Sequence, residues 1–307
     1  MKQRFWTGAA MVFILAPLYI LGGWFSTILI MALSYMGTYE LVHMYQTKNS
    51  IPNVCKFIIP IFSVLMVLVM SFDESTYYLT YLFVLELIGL LMLPIFNKYI
   101  RMKDCIFFIF AIVYSGITFA LFEEIRNLDY LAFNGYLSSR CTTNWFGCLD
   151  IRPVGLILFS FVLLIAMATD IAAYSFGRKL GKHKLCPSIS PKKTVEGAIG
   201  GAIMGAIVGT LYVIILSYTL PVEYVAHTRL FPIEQEWLYF LAVFGIALII
   251  SVVSEIGDLV ASKLKREYEI KDFGNILPGH GGILDRFDST ILSGLVFYVI
   301  LVIIGAI

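Results

Sequence analysis

The chain has 307 residues, 59% of them hydrophobic and only 14% charged, with 22 basic and 21 acidic side chains and a formal net charge of +1. A soluble domain carries about 25% charged residues, so the polar covering that a water-facing globule needs is missing here. Soluble domains, a secreted disulfide scaffold and a disordered tail are excluded, and a net charge near zero gives no sign of nucleic-acid binding. An integral membrane protein remains.

A helix crosses the hydrocarbon layer with about 20 apolar residues, and nine stretches qualify: 6–21, 24–45, 57–72, 77–96, 104–122, 153–176, 196–219, 237–261 and 290–307. The first follows Met1-Lys2-Gln3-Arg4-Phe5, which resembles a signal-peptide start. No convincing small-residue cleavage site follows, so it reads as a retained span. Gly22-Gly23 splits it from the second as a tight hairpin. No barrel-like alternation occurs, so the expected class is all-α, a polytopic bundle of about nine transmembrane helices. Lys and Arg set its orientation. With the N-terminus inside, 18 of the 22 basic residues fall in inside segments and only Arg126, Arg140, Arg152 and Arg229 outside, which predicts N-in, C-out. Cys141 and Cys148 then share an outside loop, where either a bridge or two free thiols is possible.

Residues 1–150 read as five N-terminal spans and an outside loop, and 151–307 as a C-terminal region whose inside loops, 177–196 and 262–288, hold the polar residues. Within the seventh span, Gly197, Gly201, Gly205 and Gly209 recur every four residues, a smooth stripe for close helix approach. It serves either another helix of the same chain or a homodimer seam.

The first inside loop holds Arg178, Lys179, Lys182, Lys184, Lys192 and Lys193 with no acid before Glu196. Anionic lipid headgroups and the inside bias explain Arg178 to Lys184. Ser190-Pro191-Lys192-Lys193-Thr194 is different: hydroxyls and ammonium groups beside a helix start suit a polyphosphate. Near the second loop, Glu255 and Asp258 are three residues apart, as are Asp285 and Asp288, so each pair shares a helix face. Such carboxylates beside phosphates are what Mg²⁺ takes, although a salt bridge of Asp285 with Lys265 or Arg266 would account for part of the set. Between the pairs, Leu277-Pro278-Gly279-His280-Gly281-Gly282 offers backbone N–H groups to an anion, with His280 as a further phosphate donor. Asp170, two turns before the first basic loop, must face a polar cavity. Glu86, in the middle of the fourth span, reads as a protonated, hydrogen-bonded acid.

The segment Ser262, Lys265-Arg266, Lys271-Asp272, Gly274, Pro278, His280-Gly281-Gly282, Asp285-Arg286, Asp288 resembles the signature of the phosphatidate cytidylyltransferases, position for position. Upstream, Asp170, Tyr174, Gly177, Gly181 and Ser190 to Gly197 are similar to the same family's pattern, so the likeness covers roughly residues 150–307. It implies an Mg²⁺-dependent, usually dimeric enzyme that converts CTP and phosphatidic acid to CDP-diacylglycerol and pyrophosphate. It also implies an active site on the cytosolic face of the bilayer, with a bacterial inner membrane favoured by the absence of a long polar N-terminal extension. Metal ligands would fall on Asp258, Asp285 and Asp288. Lys192, Lys193, Lys265, Arg266 and Arg286 would neutralise the phosphates, and Ser190, Thr194, Asp170, Tyr174, Lys271, Asp272, His280, Gly281 and Gly282 would bind substrate. The alternatives are a CTP-dependent polyprenol or dolichol kinase, which presents similar inside loops, and an anion transporter, which would place its charges at mid-membrane rather than at one face.

Overall fold

The computed structural model describes residues 13–72, 75–128, 153–219, 233, 235–277, 279 and 281–305. Helices dominate because backbone polar groups within hydrocarbon must find partners in their own segment. They are α1 (Gly23–Gln46), α2 (Cys55–Met70), α3 (Ser75–Phe96), α4 (Met102–Ala111), α5 (Thr118–Arg126), α6 (Pro153–Leu180), α7 (Val195–Thr219), α8 (Glu236–Glu267) and α9 (Leu284–Ile303). Residues 13–21 are also helical. A π-helical turn, Ile112–Ile117, joins α4 to α5 in one rod. Among the described residues, seven helices are long and apolar enough to cross a membrane, and Cys55–Met70 is apolar but shorter. The protein is an all-α polytopic membrane protein.

Two local features concern the inside loops. Ser190–Thr194 forms a strand, β2, paired antiparallel with β1 (Lys184–Cys186). Pro191 is tolerated because each strand of a two-stranded ribbon has a free edge. The last helix starts at Leu284, so Asp285 and Asp288 lie on it as their spacing predicts, and a buried carboxylate, described below, satisfies the N–H groups at its start.

The chain forms two compact units. Within the described residues the first holds 13–127 and 265–287. Its helices meet along a seam of small polar residues: the Thr38 and Ser63 hydroxyls lie 2.7 Å apart, and Ser34 donates to the Ser63 carbonyl. A Cβ on Gly116, in the π turn, would come within 2.7 Å of the Ser63 hydroxyl. Lipid offers no hydrophobic drive between helices, so such close approach and hydrogen bonding supply the cohesion. Arg126 ends α5 fully buried and donates to the carbonyls of Tyr19 and Ile20. It thereby satisfies the carbonyls that end the 13–21 helix, a structural use for a residue the charge count assigns to an outside loop.

The second unit holds residues 153–264 and 288–305, with Leu128. The glycine stripe of α7 packs inside it. A Cβ on Gly197 would lie 2.7 Å from the Ala173 carbonyl oxygen, and one on Gly201 would lie 2.8 Å from the Ala173 Cβ. One on Gly205 would strike the Thr169 and Ser251 hydroxyls, and one on Gly209 would meet Ile165 at 2.7 Å and Ala247 at 3.2 Å. The stripe is therefore filled by α6 and α8 of the same chain. This corrects the homodimer seam: the groove such a seam needs is already occupied. Ile199, Ile203, Ile207, Leu211 and Ile215 are exposed on other positions of α7, suited to lipid. Cys141 and Cys148 lie outside the described residues, and Cys55, Cys105 and Cys186 are free thiols.

Candidate active site

A cavity of about 310 Å³ opens within the second unit. Five elements line it, with Leu185 of β1 and Ala198 of α7 among the lining residues, and three of them supply its polar side chains. From α6 come Asp170, Tyr174 and Arg178; from β2 come Lys192, Lys193 and Thr194; from α8 come Glu255 and Asp258. The helical spacing of three puts the last two acids on one face, and the hairpin strand carries its lysines to the same opening.

Thr194 fixes the strand to the helix that follows. The Gly197 N–H donates to its hydroxyl at 3.1 Å, the usual cap at a helix start. Gly177 and Gly181 leave room for this side chain, since a Cβ on either would crowd it. Glu196 in turn accepts from the backbone N–H groups of Lys182 and His183 and contacts His183 Nδ1 at 2.7 Å, closing the loop before β1. The hydroxyl expected to hold substrate thus has a capping duty, and Ser190 is not among the described residues lining the cavity.

The charges divide by type. Asp170, Glu255 and Asp258 supply three acids, and Arg178, Lys192 and Lys193 three bases. Lys193 Nζ lies 2.6 Å from Asp258 Oδ2, and Ser262 donates to Asp258 Oδ1 at 3.3 Å. Asp170 accepts from Ser289 at 3.0 Å. Glu255 is only 7% exposed, and its Oε1 is buried with no hydrogen-bond partner. The absence of a side chain on Gly201 makes space for it: a Cβ there would lie 2.5 Å from that oxygen.

An Mg²⁺ ion fits this chemistry. The acids present hard oxygen donors, and Glu255 Oε1 is a buried acceptor without a donor, which costs free energy until something positive reaches it. Among the described residues, no three acidic, imidazole or thiol groups are drawn round one point as ion ligands. Lys193 holds Asp258 instead.

The second constellation lies within the first unit, at the start of α9. Asp285 Oδ1 accepts from Lys265 Nζ at 2.9 Å, and Oδ2 accepts from the backbone N–H groups of Phe273 at 2.8 Å and Gly282 at 2.9 Å. Glu40, from α1 and 2% exposed, accepts from the N–H groups of Ile283 and Leu284 at 2.8 and 2.9 Å. These two carboxylates take the positions an anion would take at a helix N-terminus. The Gly-rich turn thus spends the Gly282 N–H within the protein, and Asp285, expected as a metal ligand, is engaged by three donors. Glycine is required here for geometry: Gly281 has φ of 83°, and a Cβ on Gly274 would lie 2.7 Å from Glu40. Sequence reasoning missed Glu40, although an isolated acid within the second apolar stretch was a signal for it.

Arg266, Lys271, Asp272 and Arg286 are exposed, with Arg266 donating to the Ile270 carbonyl at 3.3 Å. Asp288 accepts from the Ser289 N–H at 2.9 Å. Pro278 and His280 lie outside the described residues. Glu86 is 5% exposed, and neither carboxylate oxygen has a hydrogen-bond partner. The hydrogen-bonded acid expected there is not what the structure places.

The cytidylyltransferase family matches residues 2–304. The chain belongs to that family. The phosphatidate cytidylyltransferase of Bacillus subtilis (strain 168) is 33% identical over 291 residues, covering 94% of this chain and 93% of that protein. Its namesake from Staphylococcus haemolyticus (strain JCSC1435) is 31% identical, covering 94% of each. A third, from Staphylococcus saprophyticus, is 30% identical over 294 residues with the same coverage. As a cytidylyltransferase-family member the chain is a nucleotidyltransferase.

Proposed function

We propose that the chain transfers the cytidylyl group of CTP to phosphatidic acid, forming CDP-diacylglycerol and pyrophosphate, on the cytosolic face of a bacterial inner membrane. The observation that carries this reading is a cavity lined by both Lys192, Lys193 and Arg178 and Asp170, Glu255 and Asp258 in a cytidylyltransferase-family chain. The names of the relatives support the lipid acceptor, and the basic inside loops support the cytosolic face.

In this reaction an oxygen of the lipid phosphate attacks the α-phosphorus of CTP. A new P–O bond forms as the bond from that phosphorus to the bridging oxygen of the β-phosphate breaks, and the electron pair leaves with pyrophosphate. The nucleophile is already anionic, so no strong base is required, and positioning and charge neutralisation carry the rate. Lys192, Lys193 and Arg178 bind the triphosphate and offset charge on the leaving group. Asp258, Glu255 and Asp170 are the acids that would hold Mg²⁺. When bound, that ion neutralises phosphate oxygens as a Lewis acid. The lipid headgroup enters from the bilayer while its acyl chains remain there.

The test is product analysis: the purified chain with CTP, with and without phosphatidic acid. Pyrophosphate and CDP-diacylglycerol, formed only when the lipid is present, are expected. CDP as the product identifies a γ-phosphoryl transfer and overturns the proposal.

A further inference from the structure

We propose that Lys193 is a resident counterion that keeps the acid wall of the cavity closed to a divalent cation until nucleotide phosphate draws it away. This rests on the reading of the cavity as the nucleotide site and concerns how that site is filled.

Three observations lead there. Lys193 Nζ stands 2.6 Å from Asp258 Oδ2, in a pair whose side chains are 24% and 25% exposed. A small hard cation takes a carboxylate oxygen at about 2.0–2.1 Å, so ion and ammonium compete for one oxygen and repel each other. Glu255, 7% exposed, lines the same cavity with Oε1 buried and unpartnered. Of the three carboxylates that line the cavity, Lys193 pairs with Asp258, and the Glu255 acceptor beside it stays unmet. Finally, Lys193 adjoins Lys192 on a strand, and both line the cavity. A lysine's flexible stem lets its ammonium swing from carboxylate to phosphate without backbone movement. Nucleotide that attracts Lys193 uncovers Asp258, and an ion on Asp258 releases Lys193 toward phosphate. The two ligands are then coupled, and by linkage the coupling is reciprocal.

The experiment uses the detergent-solubilised full chain and Mn²⁺ alone, without nucleotide, with free Mn²⁺ followed by electron paramagnetic resonance. Lys193→Met removes the charge and keeps the stem. It is expected to bind Mn²⁺ about tenfold more tightly than the parent, the equivalent of one ion pair of about 1.4 kcal/mol. Adding Asp258→Asn to it should erase the gain. Lys193→Gln gives the same readout if the Met variant fails to fold. Unchanged or weaker Mn²⁺ binding in the variant, or no saturable binding in either protein, overturns the proposal. Pyrophosphate release by the parent chain is measured separately. A parent that makes none, alongside a variant that still gains Mn²⁺ affinity, sinks the proposed function and leaves the counterion exchange standing.

Discussion

Asp258 and Asp285 are both expected metal ligands but have different neighbours. Asp258 meets a partly exposed lysine and a long hydrogen bond from Ser262, an arrangement that a ligand can rearrange. Asp258→Asn should therefore lower kcat/KM for pyrophosphate release about 10²-fold or more, while leaving the melting temperature near that of the parent. Asp285 is the reverse: its side chain is 4% exposed and that of Lys265 10%, and backbone donors fill its other oxygen. Removing one member of so buried a pair strands the other's charge. Lys265→Met should cost about 3 kcal/mol, read as a lowered midpoint in thermal unfolding. An unchanged midpoint would show that Asp285 does not depend on this lysine. Residue type and spacing marked both acids alike; their partners differ, one a partly exposed lysine and the other a buried lysine with two backbone donors.

At the scale of elements, glycine decides how closely α7 meets its neighbours. Gly201 faces Ala173, the Thr169 carbonyl and Glu255, with no space for a methyl group. Gly201→Ala should destabilise the protein by about 1–3 kcal/mol through overpacking and should also reduce activity, because Glu255 is the side chain with room to move. The periodicity of the stripe was legible in the sequence, but its partner was not: a flat helix face suits any close neighbour, and the chain supplies α6 and α8. The start of α9 shows the same gap. Its N–H groups are satisfied by Glu40, more than 240 residues away in the chain. Glu40→Ala leaves two buried donors unmet and should cost about 2 kcal/mol or more, again measured by thermal unfolding. Glu40→Gln, which retains one acceptor oxygen, should recover part of that loss.

For the whole molecule, the arrangement of basic residues supports the proposed orientation, which a labelling experiment can test. Cys186 is a free thiol in the β1–β2 hairpin, while Cys55 and Cys105 are buried. With Cys141 and Cys148 replaced by serine, a membrane-impermeant maleimide should label Cys186 in inside-out vesicles and not in right-side-out ones. Labelling from the opposite side would reverse the orientation. The two-stranded hairpin escaped the sequence reading because five residues containing Pro191 carry no alternating apolar pattern; its pairing with Lys184–Cys186 forms only where the chain returns on itself.

By itself the sequence determined that the chain enters a membrane as a bundle of helices and which loops concentrate its polar residues. Hydrocarbon tolerates no unsatisfied backbone and few charges, so apolar run length and the position of polar residues are written locally. Tertiary structure alone decided which acid faces which base. It set Lys193 against Asp258, gave Asp285 to Lys265, brought Glu40 to a distant helix start and left one Glu255 oxygen without a donor. Those pairings depend on distances across the fold, and a distance between residues far apart in the chain has no counterpart in the spacing of letters.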